Sequence, residues 1–555
     1  MTTIDPHATS SSPSAAGAGL ACVAEWLTTT DHKRLGRLYI GASALAFVGV
    51  AAVALLLGIE RISPTREWLD VDSLTQLFAL ERFGFIYLVM VPLVLGVALA
   101  IVPLQVGARS LAFPRLAAAG FWAWLLGAVL AVVAIVNNGG PNGEGRFYNL
   151  FVLSTVLVLV GLLASAGAVL TTILTTRAPG MNLRRVPFFT WSVLVATLCM
   201  VVALPVLVGD LLYLYVAHRY IPADAALNVL SSNRALAEWA GFGFSQPTTV
   251  IFAIPVLGFL ADAAATAAGT RLRPRGVIFG GIALMGLTAF GAVLQTSVTL
   301  RPGFVDAGFG DKLKDLLPFG LVHGLAALGV FVAFVFGAQV LVDSKKLTSA
   351  ALFGVLAGLL ALAGVSSSAL SHIGAAHLLG TTFEEGTLLT LVFAAVLAAM
   401  GAVSYWGQKW WGSTLPAKST LPLALLAFAG AELATLPLLI AGFADQPSGV
   451  FPAIESTNPG VTDAPVNFIY SGPAELWNLL STVGIGLVLL AVLVFVALSI
   501  RSFIGGEAAG DDPWDGQTLE WATTSPAPLH NFADIHIVKS AEPLLDLKPS
   551  TRSEA

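Results

Sequence analysis

A chain of 555 residues with a mean hydropathy of +0.83, 56% hydrophobic residues and only 11% charged residues falls well below the roughly 25% charged share of soluble domains, and it belongs in a bilayer. Its net charge of −5 is small for that length and its basic residues are scattered singly or in pairs, so no basic stripe is available to nucleic acid. Two cysteines, Cys22 in the leader and Cys199 inside an apolar stretch, exclude a disulfide framework.

Residues 1–27 are rich in Ser, Ala and Gly and lack the basic start and continuous apolar run of a secretory signal, so a flexible arm is expected there. A bilayer core of roughly 30 Å takes about 20 apolar residues per helix. Windows of that kind fall near 35–59, 83–103, 115–136, 149–176, 188–217, 247–269, 276–299, 316–342, 347–375, 386–406, 420–443 and 476–500. The predicted fold is an all-α integral membrane bundle of twelve transmembrane helices over residues 28–504, with a polar tail at 505–555 too short for a core of its own.

An even number of spans puts both termini on one side. With that side inside, roughly 16 Lys and Arg fall in inner segments against roughly nine outside, which predicts cytoplasmic termini. The loop from Asp445 to Ala474 carries no Lys or Arg, as an outer segment should, while Arg271, Arg273 and Arg275 crowd one short inner loop. The Ala, Gly and Val richness fits a bacterial inner membrane.

Ordered motifs run along this framework. Thr28-Thr29-Thr30-Asp31-His32-Lys33 precedes the first span, Pro103-Leu104-Gln105-Val106-Gly107-Ala108 and Ala112-Phe113-Pro114-Arg115-Leu116 follow the second, and Arg177-Ala178-Pro179-Gly180-Met181 follows the fourth. Val186-Pro187-Phe188, Trp191-Ser192-Val193 and Ala203-Leu204-Pro205-Val206-Leu207 mark the fifth, and the tail holds Asp512-Pro513-Trp514, Thr518-Leu519-Glu520-Trp521 and Ser525-Pro526. Pro and Gly punctuate many membrane helices, which accounts for single residues but not for ordered strings. In order and spacing the strings resemble subunit I of the heme-copper (cytochrome c) oxidases over nearly the whole chain.

That resemblance implies a twelve-helix bundle holding a six-coordinate heme, a high-spin heme and copper through histidines on spans two, six, seven and ten. In this chain the corresponding positions carry other residues. Counting back from Pro92 places the first heme ligand at Glu81, which beside Arg82 reads as an interfacial ion pair rather than an iron ligand. The copper positions fall on Gln246, Gln295 and Thr296, and neutral amides are poor copper ligands. The tenth-span pair falls on Gly386 and Leu388 counting from Trp406, or two positions later counting from Gly364. The arginines that would hold heme propionates give way to Ala444-Asp445-Gln446-Pro447.

On this ligand set no cofactor is expected, and the leading expectation is a non-catalytic paralogue acting as a structural, assembly or regulatory subunit beside other respiratory-complex membrane subunits. A terminal oxidase passing electrons from cytochrome c or quinol to oxygen, with heme and copper on unorthodox ligands, is the alternative. His372 and His377 are close enough in sequence to share a site, but two histidines leave a catalytic metal incompletely coordinated. A third reading is a proton or small-solute conduit through the intramembrane groups Asp210, His323 and Glu432, with a hydrogen bond to a neighbouring helix as the simpler role for His323.

Overall fold

The computed structural model describes residues 24–62, 69, 71–140, 145–220, 248–294, 298–342, 344, 347–448, 473–534 and 537–547. Among the described residues twelve helices are long and apolar enough to cross a membrane: α1 His32–Ile62, α2 Ser73–Gln105, α3 Pro114–Val136, α4 Phe147–Thr175, α5 Phe188–Tyr220, α6 Thr249–Ala268, α7 Arg275–Ala292, α8 Phe309–Leu341, α9 Ser349–Ser371, α10 Thr382–Trp411, α11 Ala417–Phe443 and α12 Pro473–Gly505. The chain is a multi-pass all-α membrane protein, as expected. Helices are the form that satisfies every backbone polar group within one segment when no water is at hand.

Successive helices pack against one another, and α12 returns to α1 to close the ring. Within it α2, α6 and α10 are almost wholly buried. An apolar surface all round suits a helix to that central place. The α1–α2 contact depends on glycine: a Cβ on Gly36 would lie 2.5 Å from the Gly96 carbonyl oxygen. Such small residues let backbones approach where lipid offers no hydrophobic drive for association.

Two expectations change. Helix α2 begins ten residues before its apolar window because the preceding stretch, though polar in part, continues the helix and is tied down at Gln76, whose Oε1 accepts from Gly140 N at 2.7 Å. The tail is also not loose. From Gly505 to Leu547 its described residues lie against one end of the bundle, with Glu520 and Asn531 wholly buried. That end, where α1 begins and the tail docks, is here called the terminal face; the opposite end is the far face.

Candidate functional site

The first ligand position lies at the far face. Glu81, on the first turns of α2, is buried, and a widened helical turn over Gly84–Met90 follows it, closed by Val91 N donating to the Ile86 carbonyl just before Pro92. Such π-type turns gather at functional sites. Across from Glu81, Arg61 at the end of α1 donates from Nη1 and Nη2 to the two oxygens of Glu385 on α10, at 3.0 and 2.9 Å. The Arg61 side chain is buried and that of Glu385 nearly so, and Arg61, Glu81, Glu385 and Asn478 wall one small void.

The second ligand register meets the first here. Leu388 and Glu81 line the same cavity of about 350 Å³, with Phe78, Arg82 and Glu385 among its other walls. Gly386 has no side chain to offer a ligand and packs closely on α11, where a Cβ would stand 3.2 Å from the side chains of Leu438 and Leu439. Deeper, Phe85 and Phe393 meet edge to face at 6.3 Å, and Phe47 packs on Phe85 at 6.2 Å. Gln446 does not replace a propionate clamp; its amide donates to Asn478 Oδ1 at 3.0 Å. A buried carboxylate beside an Arg–Glu fork, a leucine and a blocked glycine do not fit a heme with two axial histidines. Gln246, Gln295 and Thr296 lie outside the described residues.

The remaining candidates separate. His372 is buried, while His377 is exposed in a left-handed turn. His372 instead stacks on His323, ring centroids 4.2 Å apart, and bonds the Ser368 carbonyl at 2.8 Å through Nδ1. Burial lowers the affinity of His372 for a proton. His323 sits in a second widened turn, Gly320–Gly324. Asp210 on α5 is buried and Glu432 on α11 half-buried. The three proposed proton groups thus stand on α5, α8 and α11, helices that do not pack as neighbours.

Sequence reasoning missed a polar network at the terminal face. Asp262, an intramembrane charge as legible as Asp210, accepts from Phe188 N and Phe189 N at 2.9 and 3.0 Å and so caps α5. Gln105 donates at 3.1 Å to both Asp262 and Glu520, and Trp406 Nε1 donates to Glu520 at 3.1 Å. Burial raises the Glu520 carboxyl above its ordinary range. His32 and Lys33 both reach Asn531 in the tail, at 3.0 and 3.1 Å, and Lys409 donates to the Asp511 and Thr523 carbonyls. The motif strings are therefore the residues that tie the loops and tail to the bundle.

With this geometry in view, the chain can be compared with known proteins. The family model described as "Cytochrome C and Quinol oxidase polypeptide I" matches residues 34–487. The chain belongs to this family. Similar curated proteins include cytochrome c oxidase subunit 1 of Bacillus subtilis, 26% identical over 94% of this chain and 82% of that protein. The subunit 1 proteins of Corynebacterium glutamicum, 27% identical over 98% and 92%, and of Corynebacterium diphtheriae, 28% identical over 94% and 91%, are also similar.

Family membership corrects the expectation that no cofactor belongs to the chain. Members of the oxidase polypeptide I family carry heme and copper, and a match spanning residues 34–487 outweighs a residue audit at a few aligned positions. At these three positions the chain carries a carboxyl group at Glu81, no side chain at Gly386 and an aliphatic one at Leu388, none of them an imidazole.

Proposed function

We propose that this oxidase polypeptide I family member serves a respiratory membrane complex as a structural, assembly or regulatory subunit, without itself reducing oxygen. It would lie in a bacterial inner membrane with both termini cytoplasmic, residues 28–504 forming the membrane domain and 505–555 the tail that meets partner subunits. The observation that supports this reading is that Glu81 and Leu388, counted as former ligand positions, line one cavity as a carboxyl group beside the Arg61–Glu385 fork and an aliphatic side chain. The tail and loop motifs, by comparison, keep a dense set of hydrogen bonds at the terminal face.

The test is gentle purification of the full chain from its native membrane, followed by subunit composition, a reduced-minus-oxidised visible spectrum and oxygen uptake with reduced cytochrome c or quinol. Expected are stoichiometric respiratory membrane subunits and loss of the assembled complex when the chain is deleted, with no uptake attributable to the chain. A lone monomer overturns the reading. Heme bands accompanied by oxygen uptake that falls in Glu81→Gln would establish the terminal oxidase with unorthodox ligands instead.

A further inference from the structure

A second cavity, of about 600 Å³, opens between α1, α2, α10 and α12, with its mouth toward the terminal face. Its volume lies within the roughly 300–1,000 Å³ of small-molecule sites. The walls are almost entirely apolar, with Phe47, Leu93, Met400 and Phe495 in its body. Two lining residues break that pattern: Ser43 and Trp410 are buried, and among the described residues Ser43 Oγ and Trp410 Nε1 have no hydrogen-bond partner. Buried polar groups are nearly always paired. Two orphans on one cavity wall mark where a ligand would accept hydrogen bonds.

Arg37 stands at the mouth. Its guanidinium carbon lies 4.9 Å from the Trp26 ring centroid and 5.9 Å from that of Phe503, its Nε donates to the Lys33 carbonyl at 3.4 Å, and Asp31 is the carboxylate whose charge it feels. Six residues along α1 separate Arg37 from Ser43, about 9 Å at 1.5 Å per residue. Trp410 lies on the last turn of α10, near the mouth. From mouth to depth the cavity therefore offers a cation, then two neutral donors, then an apolar slot.

We propose that this cavity holds one anionic glycerophospholipid, its phosphate on Arg37, its ester carbonyls on Trp410 Nε1–H and Ser43 Oγ–H, and an acyl chain along Phe47, Leu93 and Phe495. Phosphate, ester and chain follow one another in a phospholipid in the order in which the cavity presents cation, donors and apolar wall. An isoprenoid quinone carries carbonyls and an apolar tail but no phosphate for the Arg37 guanidinium to bind. Arginine suits a phosphate through its planar fork, which stacks on aromatic rings at the same time.

The full-length protein in detergent, after exposure to vesicles of phosphatidylglycerol or of phosphatidylcholine with the same chains, tests this by native mass spectrometry. One phosphatidylglycerol per chain is expected to survive transfer, with phosphatidylcholine, whose choline cation offsets its phosphate charge beside Arg37, retained roughly fivefold less. Arg37→Gln should bring phosphatidylglycerol down to the phosphatidylcholine level and Arg37→Lys should restore part of it. Gly41→Leu fills the slot, because Gly41 lines it and a Cβ there meets nothing within 4 Å. That variant should lose the lipid while keeping its helical circular dichroism. Equal retention of the two lipids, retention unmoved in Gly41→Leu, or displacement of phosphatidylglycerol by an isoprenoid naphthoquinone would each overturn the assignment.

Discussion

At the terminal face, motif residues meet partners hundreds of positions away: His32, Lys33 and Asn531 converge, and Gln105 bridges Asp262 to Glu520. At the far face, where the family's first heme would be held, an Arg61–Glu385 fork, a buried Glu81 and a blocked Gly386 stand instead. Both ends are polar, but one joins loops and tail through neutral and charge-assisted bonds while the other gathers charged side chains around a small void. Loops can keep their packing after a site has changed, because the partners that fix the loops are not the residues that touch a cofactor.

The largest effect is expected at the far face. Arg61→Met leaves the Glu385 carboxylate buried without its partner, a loss of about 3–5 kcal/mol. The double variant Arg61→Met with Glu385→Leu should recover nearly all of it, since well-packed apolar replacements of a buried pair are often neutral. Thermal unfolding in detergent followed by circular dichroism reads both. A single variant that costs less than about 1 kcal/mol would show a solvated pair and erase the distinction between the two ends.

Next comes the tail. Asn531 is fully buried, accepts from Lys33, contacts His32 and donates to the Ala108 carbonyl at 2.8 Å. Asn531→Leu leaves several buried groups unpaired, at about 2–3 kcal/mol. Protease cleavage within 511–534 should appear in the variant and not in the parent. Cleavage at the same rate in both would mean that the tail is held elsewhere.

A smaller effect follows the protonation of Glu520, which faces Asp262, Tyr405 and Lys409. Its carboxyl titrates above the ordinary 4.5 because burial disfavours the charge. The folded protein then holds this proton more tightly than the unfolded chain does, so the contribution is full below 4.5 and is lost as pH rises through the raised folded value. Glu520→Gln keeps an acceptor for Gln105 and Trp406 and cannot ionise, so its melting point should fall less between pH 5 and pH 8 than the parent's. Equal slopes would assign the pH dependence to other groups.

The twelve spans were legible because each carries its own apolar window, and the terminal-face motifs were legible because they are contiguous strings. The far-face site was only half legible. Glu81 and Leu388 could be placed by register, but Arg61 and Glu385 are 324 positions apart, and each alone looks like an ordinary charge at a helix end. The buried tail was hidden for a similar reason: its polar composition reads as solvated until Gln105, 415 positions away, is seen beside Glu520. His372 was paired with His377 by sequence proximity, whereas the fold stacks it on His323 from another helix.

The smallest effect is the sharpest control, because the far face contains a second bidentate arginine fork with nearly the same bond lengths. Arg301 donates from Nε and Nη2 to the two oxygens of Asp315 at 2.9 Å each, matching the 3.0 and 2.9 Å of Arg61 and Glu385. What differs is water: the Arg301 side chain is 64% exposed and that of Arg61 6%. In high dielectric the fork gains little over separate hydration, and removing one partner leaves nothing stranded in a dry pocket. Arg301→Gln should therefore leave the unfolding midpoint unmoved in low and in moderate salt, under the conditions in which Arg61→Met lowers it by many degrees. Were the two variants equally damaging, hydrogen-bond geometry rather than burial would govern the far face, and the contrast drawn between its two forks would lose its physical basis.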